Sequence, residues 1–527
     1  GNFDITEAKD LANILKAGKM PARAKIVQED LVGPSLGQEA INAGLLSFVI
    51  ALLVVLAFMA FYYNQAGWVA DVALFANVFF LMGVLSSLGA VLTLPGIAGI
   101  VLTIGLSVDA NILIFERVRE ELHSGMSIKS AVKEGYKNAM SSIIDSNITT
   151  LILGIILYVF GNGPIQGFAT TLIIGILTSL FSAIFITRLI FDSMLEKNKV
   201  VSFSTKLTEN AFKNINIDFV GNRKKYYMLS ATIITIGIIF FFKSGLNFGV
   251  DFKGGRSYIV RFEKDMTTTE VREALAESFG SAPEVKTFGK SNQLKITTAY
   301  NIENTADNAD EEVESKLEEG LSKVNGMTAH KIMSSQKVGE NISDDIKQSS
   351  VWAMLISCLL MFIYIFIRFQ RWQFGLGAVA ALVHDVLIVL SFYAIFNGVL
   401  PFSLEIDQHF IAAILTVMGY SMTDTVVVFD RIREYLNLNN KVVLIGEERK
   451  RVINSALNST LSRTINTSLT IFFVLLAIFI FGGEVIRGFS FALLIGIVIG
   501  TYSSICIATP IVIDFDKKGS TEPKPIA

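Results

Sequence analysis

Long apolar runs separated by short polar segments, many of them basic, dominate this chain. A helix needs about 20 apolar residues to cross a hydrocarbon core. On that rule the pattern predicts eleven spans, at roughly 41–62, 67–92, 96–116, 147–161, 166–191, 226–242, 349–368, 374–398, 409–430, 464–481 and 485–513. The fourth is the shortest. Two stretches fall outside the pattern, the mixed polar opening 1–40 and an insert at 243–348. Strand and helix periods alternate in the insert: strand 258–263, helix 268–279, a hairpin of 285–288 with 294–298 around 289–292, a helix near 310–323 and a strand near 330–337. That order, βαββαβ, is the order of a ferredoxin-like sandwich. Thr267 and Glu270 form a capping-box start for its first helix. The fold class is therefore a polytopic α-helical membrane protein with a small α+β domain.

The apolar pattern repeats. Residues 71–120 lie on 385–434 without a gap, so that Asp71 meets Asp385, Gly105 meets Gly419, Ser107 meets Ser421, and 115–120 (FERVRE) meets 429–434 (FDRIRE). Further on, 165–168 (IQGF) meets 486–489 (IRGF) and Gly175 meets Gly496, after a loop seven residues longer in the second copy. The copies run in the same direction. Parallel repeats predict a pseudo-two-fold axis along the membrane normal, with the working site between halves. The second copy has six spans and the first five, so the start reads as an interior cut in a longer chain, with a first span upstream of Gly1. No signal-peptide core precedes the spans.

Lys and Arg placement orients the bundle. Basic residues gather after span three (Arg117, Arg119, Lys129, Lys133, Lys137), span five (Lys197 to Lys225), span seven (Arg368, Arg371), span nine (Arg431, Arg433, Lys441, Arg449, Lys450, Arg451) and at Lys517-Lys518. With eleven spans all these segments share one side, the cytoplasm, which places 1–40 and 243–348 outside. Composition agrees: 52% hydrophobic, 17% charged, mean hydropathy +0.53, too apolar for a water-soluble domain. A net charge of -2 and no basic stripe exclude nucleic acid as a partner. Cys358 and Cys506 sit in apolar helices toward opposite faces, which argues against a disulfide. Four scattered histidines offer no metal spacing, and no phosphate loop, dinucleotide fingerprint or nucleophile elbow occurs. The expectation is a non-enzyme with no cofactor or metal, driven by a gradient or a partner.

Two acids lie deep inside spans, Asp109 in Ser107-Val108-Asp109-Ala110-Asn111 and Asp424 in Ser421-Met422-Thr423-Asp424-Thr425, one position apart in the repeat alignment. An ion there costs several kcal/mol unless something pairs or uses it. Burial and a nearby cation push a carboxyl in opposite directions, so such an acid can gain or lose a proton as its surroundings move. Gly105, Ser107 and Ala110, with Gly419, Ser421 and Thr425, allow close helix approach. Arg463, at the start of span ten, could reach either acid; Ser142 occupies the aligned place in the first copy, so the arginine is not a duplicated fixture. A static hydrogen bond and a membrane-face anchor are the plainer readings of the acids and the arginine. Asp71 and Asp385, with Ser107, Asn111, Ser421 and Thr425, are possible supporting residues. Asp71 and His384-Asp385 are placed near the cytoplasmic ends of spans two and eight. Glu116-Arg117 and Asp430-Arg431 read as ordinary interfacial charge.

At this point the residues resemble a family. Residues 108–120 (VDANILIFERVRE) resemble the signature of SecD, and 421–434 (SMTDTVVVFDRIRE) that of SecF. Gly249-Val250-Asp251-Phe252-Lys253-Gly254-Gly255 resembles the start of the SecF exported domain, and His384-Asp385 and Leu461-Ser462-Arg463-Thr464 also fit SecF. The chain thus resembles the fused SecDF family, accessories of the bacterial Sec translocon within the resistance-nodulation-division superfamily. The resemblance implies use of the proton-motive force, or a sodium gradient, to draw preproteins out of the translocon, with Asp109, Asp424 and Arg463 in the ion pathway and H⁺ or Na⁺ as coupling ion. It implies SecYEG, SecA, YajC and YidC, unfolded preprotein and membrane lipid as partners, and the bacterial inner membrane as location. It divides the chain into a tail of the SecD exported domain (1–40), SecD helices two to six (41–191), a cytoplasmic linker (192–225), SecF helix one (226–242), the SecF exported domain (243–348), SecF helices two to six (349–513) and a cytoplasmic tail (514–527). In that division most of the SecD exported domain and its first helix are missing. Lys253 and Arg256 flank Gly254-Gly255 where relatives more often carry a small hydroxyl residue, a change expected only to alter a surface. Two other readings stay open, an exporter of small molecules or lipids of the same superfamily, and a passive translocon scaffold.

Overall fold

A computed structural model describes residues 26–212, 215–304, 309–324, 329–438 and 446–515. Expectations resting on 1–25, Lys213, Lys441 and Lys517-Lys518 lie outside the described residues. Strand β1 (Gln28–Val32) leads into α1 (Pro34–Tyr63), followed by α2 (Gln65–Ser87), α3 (Leu94–His123), α4 (Ile128–Phe160), α5 (Pro164–Glu196) and α6 (Arg223–Ser244). The insert holds α7 (Val250–Lys253), β2 (Gly255–Phe262), α8 (Thr268–Phe279), β3 (Glu284–Phe288), β4 (Lys290–Thr298), α9 (Ala309–Ser322) and β5 (His330–Val338). Then come α10 (Glu340–Phe369), α11 (Trp372–Phe396), α12 (Gln408–Leu438), α13 (Gly446–Phe481) and α14 (Glu484–Phe515). Eleven of these helices among the described residues are long and apolar enough to cross a membrane. Pro34, Pro95 and Pro164 sit in first turns, where a missing N–H costs nothing, and Thr93 caps α3 by accepting from the Gly96 N–H at 3.1 Å.

The span expected to be shortest is among the longest. Helix α4 begins at Ile128, because 128–146 is amphipathic rather than apolar: Ala131, Val132, Gly135, Tyr136 and Ala139 are buried at three- and four-residue spacing while lysines point out. Helix α13 likewise starts at Gly446 and buries Ile453, Ala456, Leu457 and Thr460 before its apolar part. Helices α3 and α12 run on to His123 and Leu438. Asp109 and Asp424 therefore sit near mid-helix, and Asp385 is central in α11 rather than near its cytoplasmic end.

The halves pack reciprocally. Helix α3 lies against α5 and α13, and α12 against α14 and α4, so each central helix packs on helices of both halves. A Cβ on Gly175 would meet Thr103 Cγ2 at 2.4 Å, and one on the aligned Gly496 would meet Val417 Cγ2 at 2.0 Å. Across the interface Gly105 faces Ile471 and Val474, while Gly419 faces the aligned Thr150 and Leu153. Overpacking costs about 1–3 kcal/mol. Gly496→Ala is expected to lower stability on that scale. Gly83→Ala, with nothing within 4 Å of the added carbon, is expected to leave it unchanged, and melting of both variants in detergent checks this.

In the insert, β5-β2-β4-β3 has the ferredoxin-like order and buries Tyr258, Val260, Leu294 and Ile296 against Val271, Leu275, Val313 and Leu317. The hairpin turn is tighter than expected, with Phe288 paired to Lys290 around Gly289 at φ 75°. The opening segment is not simply a tail, since β1 pairs antiparallel with β5 and makes a fifth strand, and α1 starts at Pro34 rather than at 41. Gly254 and Gly255 take φ +71° and +131°, a turn that a side chain would strain. Arg256 corrects the surface expectation. It is 2% exposed, donates from Nε to Asp310 at 3.0 Å and from Nη1 to the Tyr300 carbonyl at 3.2 Å.

Candidate ion-coupling site

Asp109, Asp424 and Arg463 are brought within electrostatic reach of one another at the interface of the halves. The acids stand on α3 and α12, the most buried spans among the described residues, and Arg463 stands on α13. Asp424 Oδ2 accepts a long hydrogen bond from Thr501 (3.4 Å), whose hydroxyl meets Ser468 (2.5 Å), and Ser468 in turn accepts from Tyr420 (2.9 Å). Asp109 is half-buried, and its enclosed Oδ1 has no hydrogen-bond partner among the described residues. Arg463 acts on both acids through space rather than by a direct ion pair among the described residues. An ionised carboxylate without a donor is unstable in a low dielectric. Protonation, or approach of the guanidinium, would relieve it, so the arrangement can exist in more than one charge state.

Asp385 is elsewhere, within the second half, and is fully satisfied. Its Oδ2 accepts from Ser421 at 2.5 Å and Ser503 at 2.8 Å, and Oδ1 meets His384 Nδ1 at 2.9 Å. His384 Nε2 lies 2.9 Å from Ser230 on α6. Thr425 pairs with Ser504 on α14 at 2.9 Å. Asp71, Ser107 and Asn111 lie in the matching place of the first half. Thus the structure joins three of the nine singled-out residues at the interface and separates the other six into two flanking groups.

Two features were not legible as site components. The terminal charges are not ordinary interfacial residues. Arg117 forks onto Glu434, and the aligned Arg431 reaches Glu120 at 2.9 Å, a reciprocal pair of bridges between halves. Asp145 on α4 accepts from Tyr364 (2.9 Å) and Arg368 (2.6 Å) on α10. It lies just before the apolar run, so a hydropathy rule passes over it.

At the sheet end of the bundle a cavity of about 310 Å³ is lined by Asp251, Lys295, Glu405 and Asp407 among others. Asp251 accepts from the Gln408 N–H (3.0 Å) and Gln336 (3.1 Å), tying the insert to α12. Burial, helped by Asp407, raises its carboxyl from 3.8 to about 6. A carboxyl that holds its proton more tightly when folded stabilises the fold fully below about pH 4, and that contribution is lost as pH rises through about 6. The loss is expected to reach up to about 3 kcal/mol. Calorimetry from pH 4 to 7.5 checks it, with Asp251→Asn expected to flatten the slope.

Comparison with known proteins places this geometry. The family described as protein export membrane protein SecD/SecF, C-terminal, matches residues 12–197 and 317–518, and the SecD/SecF GG motif matches 239–266. Protein translocase subunit SecDF of Brucella abortus is 35% identical over 98% of the chain and 66% of its own length. That of Bacillus subtilis is 33% identical over 97% and 69%. The chain thus spans about two thirds of these relatives. The crystal structure of SecDF, a translocon-associated membrane protein from Thermus thermophilus, superposes with TM-score 0.84 at 32% identity, covering 98% of this chain and 68% of that one. With matched family segments filling most of its length and the repeated spans and GG turn in register, the chain belongs to the SecD/SecF family of protein export membrane proteins.

Proposed function

We propose that this chain is the membrane motor of a Sec translocon accessory: proton or sodium movement through the Asp109, Asp424 and Arg463 interface shifts one half against the other and helps draw preprotein out of the translocon. One observation carries the reading, two acids on the two most buried helices meeting one unduplicated arginine on α13 at the seam of two parallel repeats. Coupling requires charge states that favour different conformations, and an acid with an unpartnered oxygen beside an arginine that it does not bond directly can take more than one. The relatives' role as translocase subunits supports SecYEG and SecA as partners, with YajC and YidC beside them, and lysine and arginine placement supports an inner-membrane orientation with the sheet domain outside. The reading assigns no enzymatic step and no cofactor beyond the coupling ion. Gradient-dependent preprotein release from vesicles carrying the full-length protein tests it; release that ignores both gradients would favour the passive scaffold.

A further inference from the structure

The two halves differ at one buried spot. In the second half every acceptor of Asp385 is filled, by Ser421, Ser503 and His384. The repeat puts Asp71 for Asp385, Ser107 for Ser421, Asn111 for Thr425 and Ser182 for Ser503, but Ala70 where His384 stands and Ala183 where Ser504 stands. The register is kept in three dimensions, since Gly175 sits on Thr103 as Gly496 sits on Val417. Helix α2 packs on α3 and on the π-helical turn of α5 that opens at Ser182. Ser107 and Asn111, four apart, share one face of α3, the face that in α12 meets α14 through Thr425 and Ser504.

Among the described residues, both oxygens of Asp71, Oδ1 of Asn111 and Oγ of Ser182 have no hydrogen-bond partner. These residues are 3%, 2% and 2% exposed. Ser107 spends its proton on the Ile104 carbonyl and keeps its lone pairs free. Acceptor lone pairs outnumber the donors of the set, which are the Asn111 amide N–H groups and the Ser182 hydroxyl, and the imidazole that serves Asp385 is missing. One negative charge with neutral hydroxyl and amide oxygens, beside a locally rewound helix, is the donor chemistry of a hard monovalent cation. A divalent ion would find a single carboxylate there, which leaves half of its charge uncompensated in a buried setting.

We propose that Asp71, Ser107, Asn111 and Ser182 form a binding site for a small monovalent cation of the sodium class, standing where His384 stands in the other half and separate from the interface acids. The test is equilibrium binding of ²²Na⁺ to the purified full-length protein, with melting in NaCl, KCl or choline chloride at equal ionic strength. Saturable Na⁺ binding with a rise in melting temperature is expected. Asp71→Asn and Ser182→Ala should weaken it at least tenfold, while in the interface variants Asp109→Asn and Asp424→Asn the component that depends on Asp71 persists, whatever sodium the interface itself takes. Ala70→His should place the missing imidazole, abolish the Na⁺ response and keep the melting temperature near that of the sodium-loaded protein, which separates site loss from misfolding. Absence of saturable binding, binding lost only in the interface variants, or a melting response that follows pH alone would overturn the site. The interface variants also distinguish the two readings, since a failed motor with retained Na⁺ binding leaves this site standing.

Discussion

Vesicles carrying full-length Asp109→Asn or Asp424→Asn are expected to lose all of the gradient-dependent part of preprotein release while keeping normal protein levels. Asparagine has nearly the shape of aspartate and cannot change charge, so packing against Gly105, Gly419 and their partners is preserved while the step that links protonation to movement is removed. The two acids face one arginine, and each substitution removes one of the two titratable charges that balance it. Both therefore abolish the same component. Arg463→Lys is expected to retain a part, because a lysine keeps the charge but loses the planar fork that can address two carboxylates. Dissipating H⁺ and Na⁺ gradients separately identifies the ion. Full release by both aspartate variants would sink the motor reading.

Locking the halves together at their charged ends is expected to stop gradient-dependent release completely and reversibly. Arg117 and Glu434 belong to different halves and meet directly, with Arg431 and Glu120 repeating the contact across the pseudo-two-fold axis. Cysteines at 117 and 434 joined by a thiol-cleavable bifunctional reagent would clamp this seam. The native Cys358 and Cys506 are both free, and only the first is partly accessible, so a Cys358→Ser background keeps the labelling specific. Reduction should restore release. An unlinked double variant that retains release, set against a linked one that does not, isolates motion from charge. Unchanged release after cross-linking would show that this end of the seam stays closed throughout the cycle.

The apolar periods were enough to place the spans and their repeat, and the buried acids followed from a single rule about ions in hydrocarbon. The rest depended on information outside a local window. The amphipathic starts of α4 and α13 carry too many charged and polar residues to count as apolar, so a hydropathy rule does not reach Asp145. Strand β1 has five residues and no clear alternation of buried and exposed positions; it is a strand because β5, some three hundred residues away, supplies its partners. Arg256 reads as surface charge until Asp310 and Tyr300 fold over it. The difference between Ala70 and His384 is visible in the aligned repeats, but its meaning appears only when Ser503 is found on Asp385 and Ser182 on no partner among the described residues. The rewound turns near Ser182 and Ser504 leave no mark in hydrophobic period.

The β1–β5 ladder has a mechanical consequence. Each strand passes through one glycine into a helix of a different half, β1 through Gly33 into α1 and β5 through Gly339 into α10, and the ladder's ends are closed by Gly33 N–H to the Met333 carbonyl (2.8 Å) and Gly339 N–H to the Val27 carbonyl (2.9 Å). Because the strands are antiparallel, the two helices leave from opposite ends of the paired segment. Any drift of one half away from the other then loads the ladder in shear, with all its bonds sharing the force at once, rather than peeling it open from one end. A short ladder held this way is stiff. Displacement inside the membrane would reach the sheet domain as a tilt of the whole sheet and would not be absorbed by strand separation.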